Sequence, residues 1–499
     1  MLPGRPREPQ GSCAATSRLL PAYVAPLLLA TLSLVGCGQA ARQPPTLDAA
    51  TQAAKEKSPV VDQLPPELLQ TTREAKTTAL LSRIAGTRIV TIADGDFTAH
   101  SYSTGQLAPK DAGFRDHLTV IELGSSEPTP SSLEVSNSVV APPEVLELSP
   151  DGKTAFVVER LTQRSADAVA VSDLAPGSRL FAVDLTVAGQ PRLAATAEVA
   201  AAPEALSLSP DGTQLAVISN GPTGSQVQLV SFTAGAFGPV RAFELSELVA
   251  PKQDWSMGRL LATNIHWHPS GKALAVNITD QNRIVFMRVQ DQGAQIEIEA
   301  WGAAVEVDRD PFVGRFTPDG KYYITSNWGR NLKAKSVEER LPSTPSQVNV
   351  IQLAPWGQEA VAHRVVSRVA SDRSAEGIAI SPDGSLVATV NMRGTALRPG
   401  TDHFDQYATV TLLSLDNETG QLRKLGDYLF EGVLPEGGTF DSSGEHFLAT
   451  VFQGHAGSAP SSGPGLEIFE VIRDGADPAL QPLGRIPLAH GVHQVRVAP

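Results

Sequence analysis

Ser149-Pro150-Asp151-Gly152 stands between two short apolar runs, Val145-Leu146-Glu147-Leu148 and Thr154-Ala155-Phe156-Val157-Val158. Pro presets φ at the first central position of a tight turn, Asp bonds back to its own backbone, and Gly supplies the positive φ that reverses the chain. The unit reads as strand, turn, strand. It returns as Ser209-Pro210-Asp211-Gly212, His268-Pro269-Ser270-Gly271, Thr317-Pro318-Asp319-Gly320, Ser381-Pro382-Asp383-Gly384 and, in degenerate form, Asp441-Ser442-Ser443-Gly444. Apolar residues four and two places before the Pro position (Leu146/Leu148, Leu206/Leu208, Ile265/Trp267, Ile378/Ile380) carry the period-two signal of a strand, and a β-rich run follows every glycine. The turn glycines are 60, 59, 49, 64 and 60 residues apart. A period of that size, with several strands in each repeat, marks a radial β-array of four-stranded blades.

The chain ends decide between an open array and a ring. Val495-Arg496-Val497-Ala498-Pro499 matches Leu146-Glu147-Leu148-Ser149-Pro150, so the chain stops where a turn should begin. Near the other end, Gly86-Thr87-Arg88-Ile89-Val90-Thr91-Ile92 matches Gly212 to Ile218 with no strand before it. The C-terminal strand is expected to complete the N-terminal blade, which removes the open edges that make β proteins aggregate. Counting Gly86 as the first turn gives an all-β fold: a seven-bladed β-propeller of four-stranded antiparallel blades over residues 86–499. Long insertions fall at 94–116, 159–178, 327–346, 391–408 and 453–464, between second and third strands, and at 245–264, between blades. In antiparallel blades these connections share one face, and loops on a rigid scaffold are where function concentrates.

Before the ring, residues 1–36 read as a secretory signal: Arg5, Arg7 and Arg18, the apolar run Leu27 to Leu34, and Leu34-Val35-Gly36-Cys37, which has the form of a bacterial lipobox with lipid on Cys37. The competing reading, a chance match in a transmembrane anchor, sits poorly with so short an apolar run followed by polar sequence. Residues 37–62 read as lipidated Cys and polar tether, and 63–85 as a short helix docked on the ring. Cys13 would leave with the signal, so the mature chain has no thiol pair for a disulfide. Loss of three Arg and one Glu leaves 37 basic and 52 acidic residues, a net charge of −15. With no basic stripe, nucleic acid is excluded as a partner. The expected partners are the membrane, through Cys37, and a protein or polar small-molecule ligand; the expected state is a monomer in a bacterial cell envelope, periplasmic or surface-exposed.

Six places before each turn Pro, or its equivalent, stand His493, Glu144, Glu204, Thr263, Phe312, Glu376 and Glu436. If these positions begin the innermost strands, four carboxylates and a histidine gather at one mouth of the channel, on the elaborated face. Such carboxylates repel unless a counter-charge intervenes, so Glu144, Glu204, Glu376, Glu436 and His493 are candidate ligands for a divalent cation or a polar molecule. The bland alternative is that each Glu caps backbone of the neighbouring blade. Three places before the Pro lies a second ring: Arg496, Glu147, Ser207, His266, Arg315, Ala379 and Thr439. Arg496 joins the ligand-binding candidates. His266 and Arg315, on successive blades, with Glu376 can hold an anionic or lactone-type substrate, against the plainer reading of a polar, water-filled channel. There is no GxSxG, HExxH, CxxCH or phosphate-binding GxxxxGK[ST] pattern.

The repeated turn with its flanking strands resembles the bacterial YVTN-type β-propeller superfamily, which includes seven-bladed lactonase-like propellers. The likeness spans about residues 78–499. Ile265-His266-Trp267-His268-Pro269-Ser270-Gly271 through Asp280-Gln281-Asn282-Arg283-Ile284 resembles one lactonase blade, and Ala375-Glu376-Gly377 through Asn391-Met392-Arg393-Gly394 resembles another. The family's Arg-His pair before the next turn is replaced by Val313-Gly314-Arg315, and its following acidic residue by Trp328. The resemblance implies lactone hydrolysis, with His266, Arg315 and Glu376 as the catalytic candidates. The residues themselves favour a lipid-anchored, non-enzymatic binding module presenting one loop-rich face. A lactonase-like hydrolase at the channel mouth is the alternative; a redox-cofactor propeller, of which only a quinone-cofactor type needs neither haem motif nor thiol, is the second.

Overall fold

The computed structural model describes residues 76–499, apart from 126–127, 139–143, 223, 250–259, 292–294 and 359–360. The signal segment, Cys37, the tether and residues 63–75 lie outside the described residues. Seven antiparallel sheets, each on a path of four strands, form the blades of a β-propeller. The inner strands, Leu146–Leu148, Pro203–Leu208, Ala262–Trp267, Pro311–Phe316, Ala375–Ile380, Gly438–Phe440 and Val492–Ala498, neighbour one another in that order and return to the first. The fourth blade carries a further short strand, Val305–Glu306.

Second strands such as Ala273–Ile278, Tyr322–Asn327, Leu386–Asn391 and His446–Val451 are buried at every position. Both faces are covered, so their sequence is mainly apolar, with the buried polar side chains hydrogen-bonded locally, as Asn277 is to Thr325 and His446 to Asp441. The outer strand Arg192–Glu198 has no such cover and is exposed or half-buried along its length.

The recurring turn is held by its own side chains. Ser149 Oγ donates to Asp151 Oδ1 at 2.7 Å and accepts the Thr154 N–H at 2.9 Å, while Asp151 accepts the Lys153 N–H at 3.1 Å. Ser209, Thr317 and Ser381 repeat the arrangement. His268 replaces the hydroxyl: its Nδ1 accepts the Ser270 N–H at 3.0 Å and its Nε2 reaches the Gly320 carbonyl at 2.9 Å. The six turn glycines have φ between 66° and 74°, the left-handed region that Gly enters without cost. The degenerate copy has a reason. Asp441 Oδ1 accepts the His446 N–H at 3.3 Å, and its second oxygen accepts the Ala85 N–H at 2.9 Å. The chain leading into the ring is thereby tied to the seventh blade, with residues 76–81 helical and Leu81 and Ile84 buried against Leu448, Leu466 and Ile486.

Ring closure is explicit. Arg88–Ala93 pairs antiparallel with Val492–Ala498, from Arg88 opposite Ala498 to Ala93 opposite Val492. Gly86, expected as a turn glycine, has φ 148° instead, and a Cβ there would meet the Ala498 carbonyl oxygen at 2.6 Å. The first blade joins the two ends of the chain, so no covalent turn exists to demand a left-handed residue.

Neutral side chains clasp blade to blade. Gln494 Oε1 accepts the Val145 and Leu146 N–H groups, both at 2.9 Å. Ser207 Oγ accepts the Trp267 N–H at 3.0 Å, and Thr263 Oγ1 donates to the Phe312 carbonyl at 2.9 Å. Backbone capping between blades, one of the roles open to the glutamates, thus falls to Gln, Ser and Thr at these positions.

Deleting residues 490–499 should strip the inner strand from the first blade and leave Arg88–Ala93 as an open edge. We expect loss of the cooperative melt, or aggregation at a temperature well below that of the full chain. Unaltered melting of the truncated protein would contradict closure by this strand.

Candidate functional site

The ring six places before the turn is made by β-bulges. The pairing of inner and second strands skips His493 between Val492 and Gln494, Glu204 between Pro203 and Ala205, Thr263, Phe312 and Glu376. A bulge leaves one residue without a partner across the ladder and re-aims its side chain. Two residues upstream of five ring positions the backbone is left-handed: Ala202, Asp310, Ser374, Leu434 and Gly491, with φ from 54° to 92°. Four of these are not glycine, a conformation that costs on the order of 1–2 kcal/mol each. The fold spends that strain on turning the side chains of these five positions; all seven residues of the ring are 5% exposed or less.

These side chains do not form one uniform carboxylate ring. Glu144 reaches toward the turn end and is bound by Arg315 through one oxygen and by Arg496 and Gln494 through the other. Burial disfavours its charge, but the two guanidiniums outweigh burial and hold its carboxyl below the ordinary value. Arg496 also donates from Nε to Glu147 at 3.1 Å. His266, beside this group, is pushed down to about 3 by burial and by Arg315, and is neutral. Glu204 accepts from Arg160 Nε at 2.9 Å and Asn220 Nδ2 at 3.3 Å. Thr263 clasps the next blade, and Phe312 stacks edge-on against Trp328.

Glu376 and Glu436 differ from the other two. Among the described residues neither oxygen of Glu376 has a hydrogen-bond partner, nor has Glu436 Oε2; Glu436 Oε1 accepts from the Tyr102 hydroxyl at 3.4 Å. Burial, with Asp310 adding to it against the pull of Arg330, raises the Glu376 carboxyl to about 8. Burial and the neighbouring Glu376 raise Glu436 well above its ordinary value. Arg330 does not neutralise them, because its fork is spent on Asp310 at 2.8 and 3.0 Å while its plane lies over Phe312 and Trp328. His493 is pushed down to about 3 by burial. Asn137 donates both amide hydrogens to backbone carbonyls, which turns its Oδ1 to His493 Nε2 at 3.1 Å. Nε2 therefore carries the proton, and Nδ1, 4.0 Å from Glu436 Oε2, is an acceptor.

Apart from Glu204, which pairs with Arg160, the candidates fall into two groups. His266, Arg315 and Arg496 gather with Glu144 and Glu147 toward the turn end; Glu376, Glu436 and His493 gather at the loop end with Tyr102 and Arg330. Glu376 is placed with Arg330, Asp310 and Glu436 as its charged neighbours. Tyr102, Arg160 and Arg330 were not legible as site residues, since they lie in insertions outside the repeat; Asp310 sits at a repeat position whose other occupants are uncharged. A third group, Asp94, Asp96 and Asp116, also lies outside the repeat, and its oxygens lie within 4.8 Å of one another. Asp94-Gly95-Asp96 was the available signal. Asp116 is raised to about 7 by burial and by Asp96, but it accepts the Gly95 and Asn137 N–H groups and the Ser138 hydroxyl, a hydrogen-bonded clasp of the loop.

No protein-family model matches this chain, and no curated protein matches it. Solved structures share its fold. A periplasmic gluconolactonase from Pseudomonas aeruginosa is 16% identical, with TM-score 0.54 over 82% of this chain and 99% of that one. A candidate 6-phosphogluconolactonase from Bacteroides fragilis is 17% identical, with TM-score 0.54 over 82% and 98%. A functionally unknown protein from Desulfotomaculum acetoxidans is 11% identical, with TM-score 0.54 over 83% and 99%. The chain shares the seven-bladed fold of lactonase-like propellers.

The two groups should respond oppositely to amide substitution. Glu144→Gln leaves two buried guanidiniums short of charge and should cost about 3–5 kcal/mol in urea unfolding. Glu376→Gln should be neutral or stabilising at pH 8. In the unfolded chain Glu376 ionises near 4.5; in the folded chain it holds its proton to about 8. Its stabilising contribution is complete below pH 4.5 and lost as pH rises to about 8. The wild-type melting temperature should fall across that window, and the fall should be shallower in Glu376→Gln.

Proposed function

We propose that this protein is a lipid-anchored cell-envelope binding module whose ligand site is the loop end of the central channel, where Glu376, Glu436 and His493 take a cation. The observation that carries the reading is the Glu376 carboxylate, 1% exposed with neither oxygen hydrogen-bonded, beside a second glutamate with one oxygen unpaired. Buried polar groups are nearly always satisfied, and an unsatisfied one costs about 1–3 kcal/mol. Glu376, Glu436 and His493 do not bring their ligand atoms within 4.8 Å of one another as Asp94, Asp96 and Asp116 do, so a divalent cation would have to draw the two carboxyls together, supplying their missing partner and displacing the proton they hold. His493 Nδ1 is neutral and free to face it. Tyr102, on the 94–116 insertion, already reaches Glu436 from the loops.

Calcium, magnesium, manganese and zinc should be tested singly by thermal melting. At least one should raise the melting temperature in a saturable way, more strongly at pH 8 than at pH 6 because the carboxyls must lose their proton. Glu376→Gln with Glu436→Gln should abolish the shift and leave the fold intact. If all four ions leave the wild-type melt unmoved at both pH values, the site holds no metal. The same preparation, offered a panel of lactones with and without each ion, decides the competing hydrolase reading: turnover lost in the double variant would replace binding by catalysis.

The anchor rests on Leu34-Val35-Gly36-Cys37 and the polar stretch after it. Among the described residues no helix is long and apolar enough to cross a membrane. Cys37→Ser should move the protein from the membrane fraction to a soluble or unprocessed form. Unchanged fractionation and unchanged N-terminal mass would remove lipid from the account.

A further inference from the structure

The opposite end of the channel carries a second hollow. It measures about 240 Å³ and is lined by Glu147, Arg315, Arg496 and Thr439, with Phe316 and Phe440 among its apolar walls. Its origin is visible in the ring three places before the turn. Five blades place Arg496, Glu147, Ser207, His266 and Arg315 there; the sixth and seventh place only Ala379 and Thr439. The missing side-chain volume on two adjacent blades is the hollow, and Arg315 and Arg496, on the blades to either side, flank it. Arg315, Arg496 and Glu147 keep 14%, 18% and 18% of their side-chain surface exposed, so the space is reached by solvent.

The charges here balance. Two guanidiniums face two carboxylates, Glu144 and Glu147, so the site offers no net field to a simple anion or cation. Its bonding is uneven, however. Arg496 is used on three nitrogens, by Glu147, Glu144 and the Val495 carbonyl. Among the described residues Arg315 is held through Nη1 to the Gly314 carbonyl and Nη2 to Glu144, which leaves donors of its five to spare. Glu147 has one oxygen on Arg496 and a second to offer. Both side chains are braced by charged neighbours, so a ligand bridging them orders little on binding.

We propose that this hollow binds a small zwitterion of the α-amino-acid type, its carboxylate on Arg315, its ammonium on Glu147 and its side chain against Phe316 and Phe440. A donor and an acceptor with spare capacity, an apolar wall and zero net charge together select that class. The volume lies below the roughly 300–1,000 Å³ of pockets for drug-sized ligands, which restricts it to small members. The site is distinct from the loop-end cation site and does not depend on it.

The test is thermal melting and calorimetric titration of the full chain with glycine, alanine, valine and leucine, and separately with acetate, inorganic phosphate and ethylamine. At least one amino acid should raise the melting temperature saturably, and the three probes that carry charge of one sign only should not. Ala379→Leu fills the hollow without touching a charge and should abolish the shift while retaining any response to a divalent cation. Glu147→Gln should weaken binding tenfold or more. No shift with any amino acid overturns the proposal on the wild type alone. A shift with acetate or phosphate equal to that with an amino acid overturns the zwitterion class, and binding retained in Ala379→Leu overturns the location.

Discussion

The pairing of Val492–Ala498 with Arg88–Ala93 is the contact on which everything else depends. It converts a row of sheets into a ring, and it also furnishes the channel. Three consecutive roles come from that one strand: His493 is its bulge residue, Gln494 clasps the second blade, and Arg496 holds Glu144 and Glu147. A chain that failed to close would lose its edge protection and its channel chemistry together. Closure also makes the first blade the least local in sequence, since its two halves are contributed some 400 residues apart. Such a pairing is slow to find, and the Ala85–Asp441 bonds, which tie the lead-in to the seventh blade, hold the N-terminal edge where the last strand will arrive.

Within the ring, burial forces every channel charge to be answered. Where two cations are available the carboxylate is held ionised, as Glu144 is by Arg315 and Arg496; Glu204 is paired with Arg160. Where the nearby cation is already committed, as Arg330 is to Asp310, the carboxyl keeps its proton. The same residue type at equivalent positions therefore has two chemistries, decided by side chains that the repeat does not specify. The two ends of the channel differ accordingly. One is a balanced ion network with a hollow beside it; the other is a pair of neutral acids with no fixed counter-ion. Ligands of opposite demands suit the two ends.

How much of this was legible follows from which interactions are local. The turn is self-contained: hydroxyl, Pro, Asp and Gly within four residues fix it, so six copies gave the blade count, the strand order and the closing strand. The variants were legible in kind but not in cause. His268 reads as a hydroxyl substitute, while Asp441 looks like decay of the pattern until its second oxygen is seen on Ala85. Gly86 kept the register of a turn but not its conformation. The channel position six before the turn was readable by counting; its bulge was not, because Ala202, Ser374 and Leu434 carry no residue signature of a left-handed backbone and Asp310 alone carries a weak one. The partners that divide the glutamates, Arg160, Arg330 and Tyr102, sit in insertions of no fixed length, where no period exists to count.

The departures from strict repetition are thus where the chemistry lies. A propeller with identical blades would place seven like residues around its axis, and seven like charges at that distance cannot coexist unsolvated. The channel is viable because its sequence breaks symmetry: Phe312 and Thr263 replace two acids, and Arg315 stands opposite Glu144 to neutralise a third. The hollow over Ala379 and Thr439 arises the same way, from small residues on two adjacent blades flanked by Arg315 and Arg496 on the blades to either side. In this channel one end keeps carboxyl oxygens without hydrogen-bond partners among the described residues and the other keeps a hollow between charged side chains, so both departures fall where two adjacent blades differ from the rest of the ring.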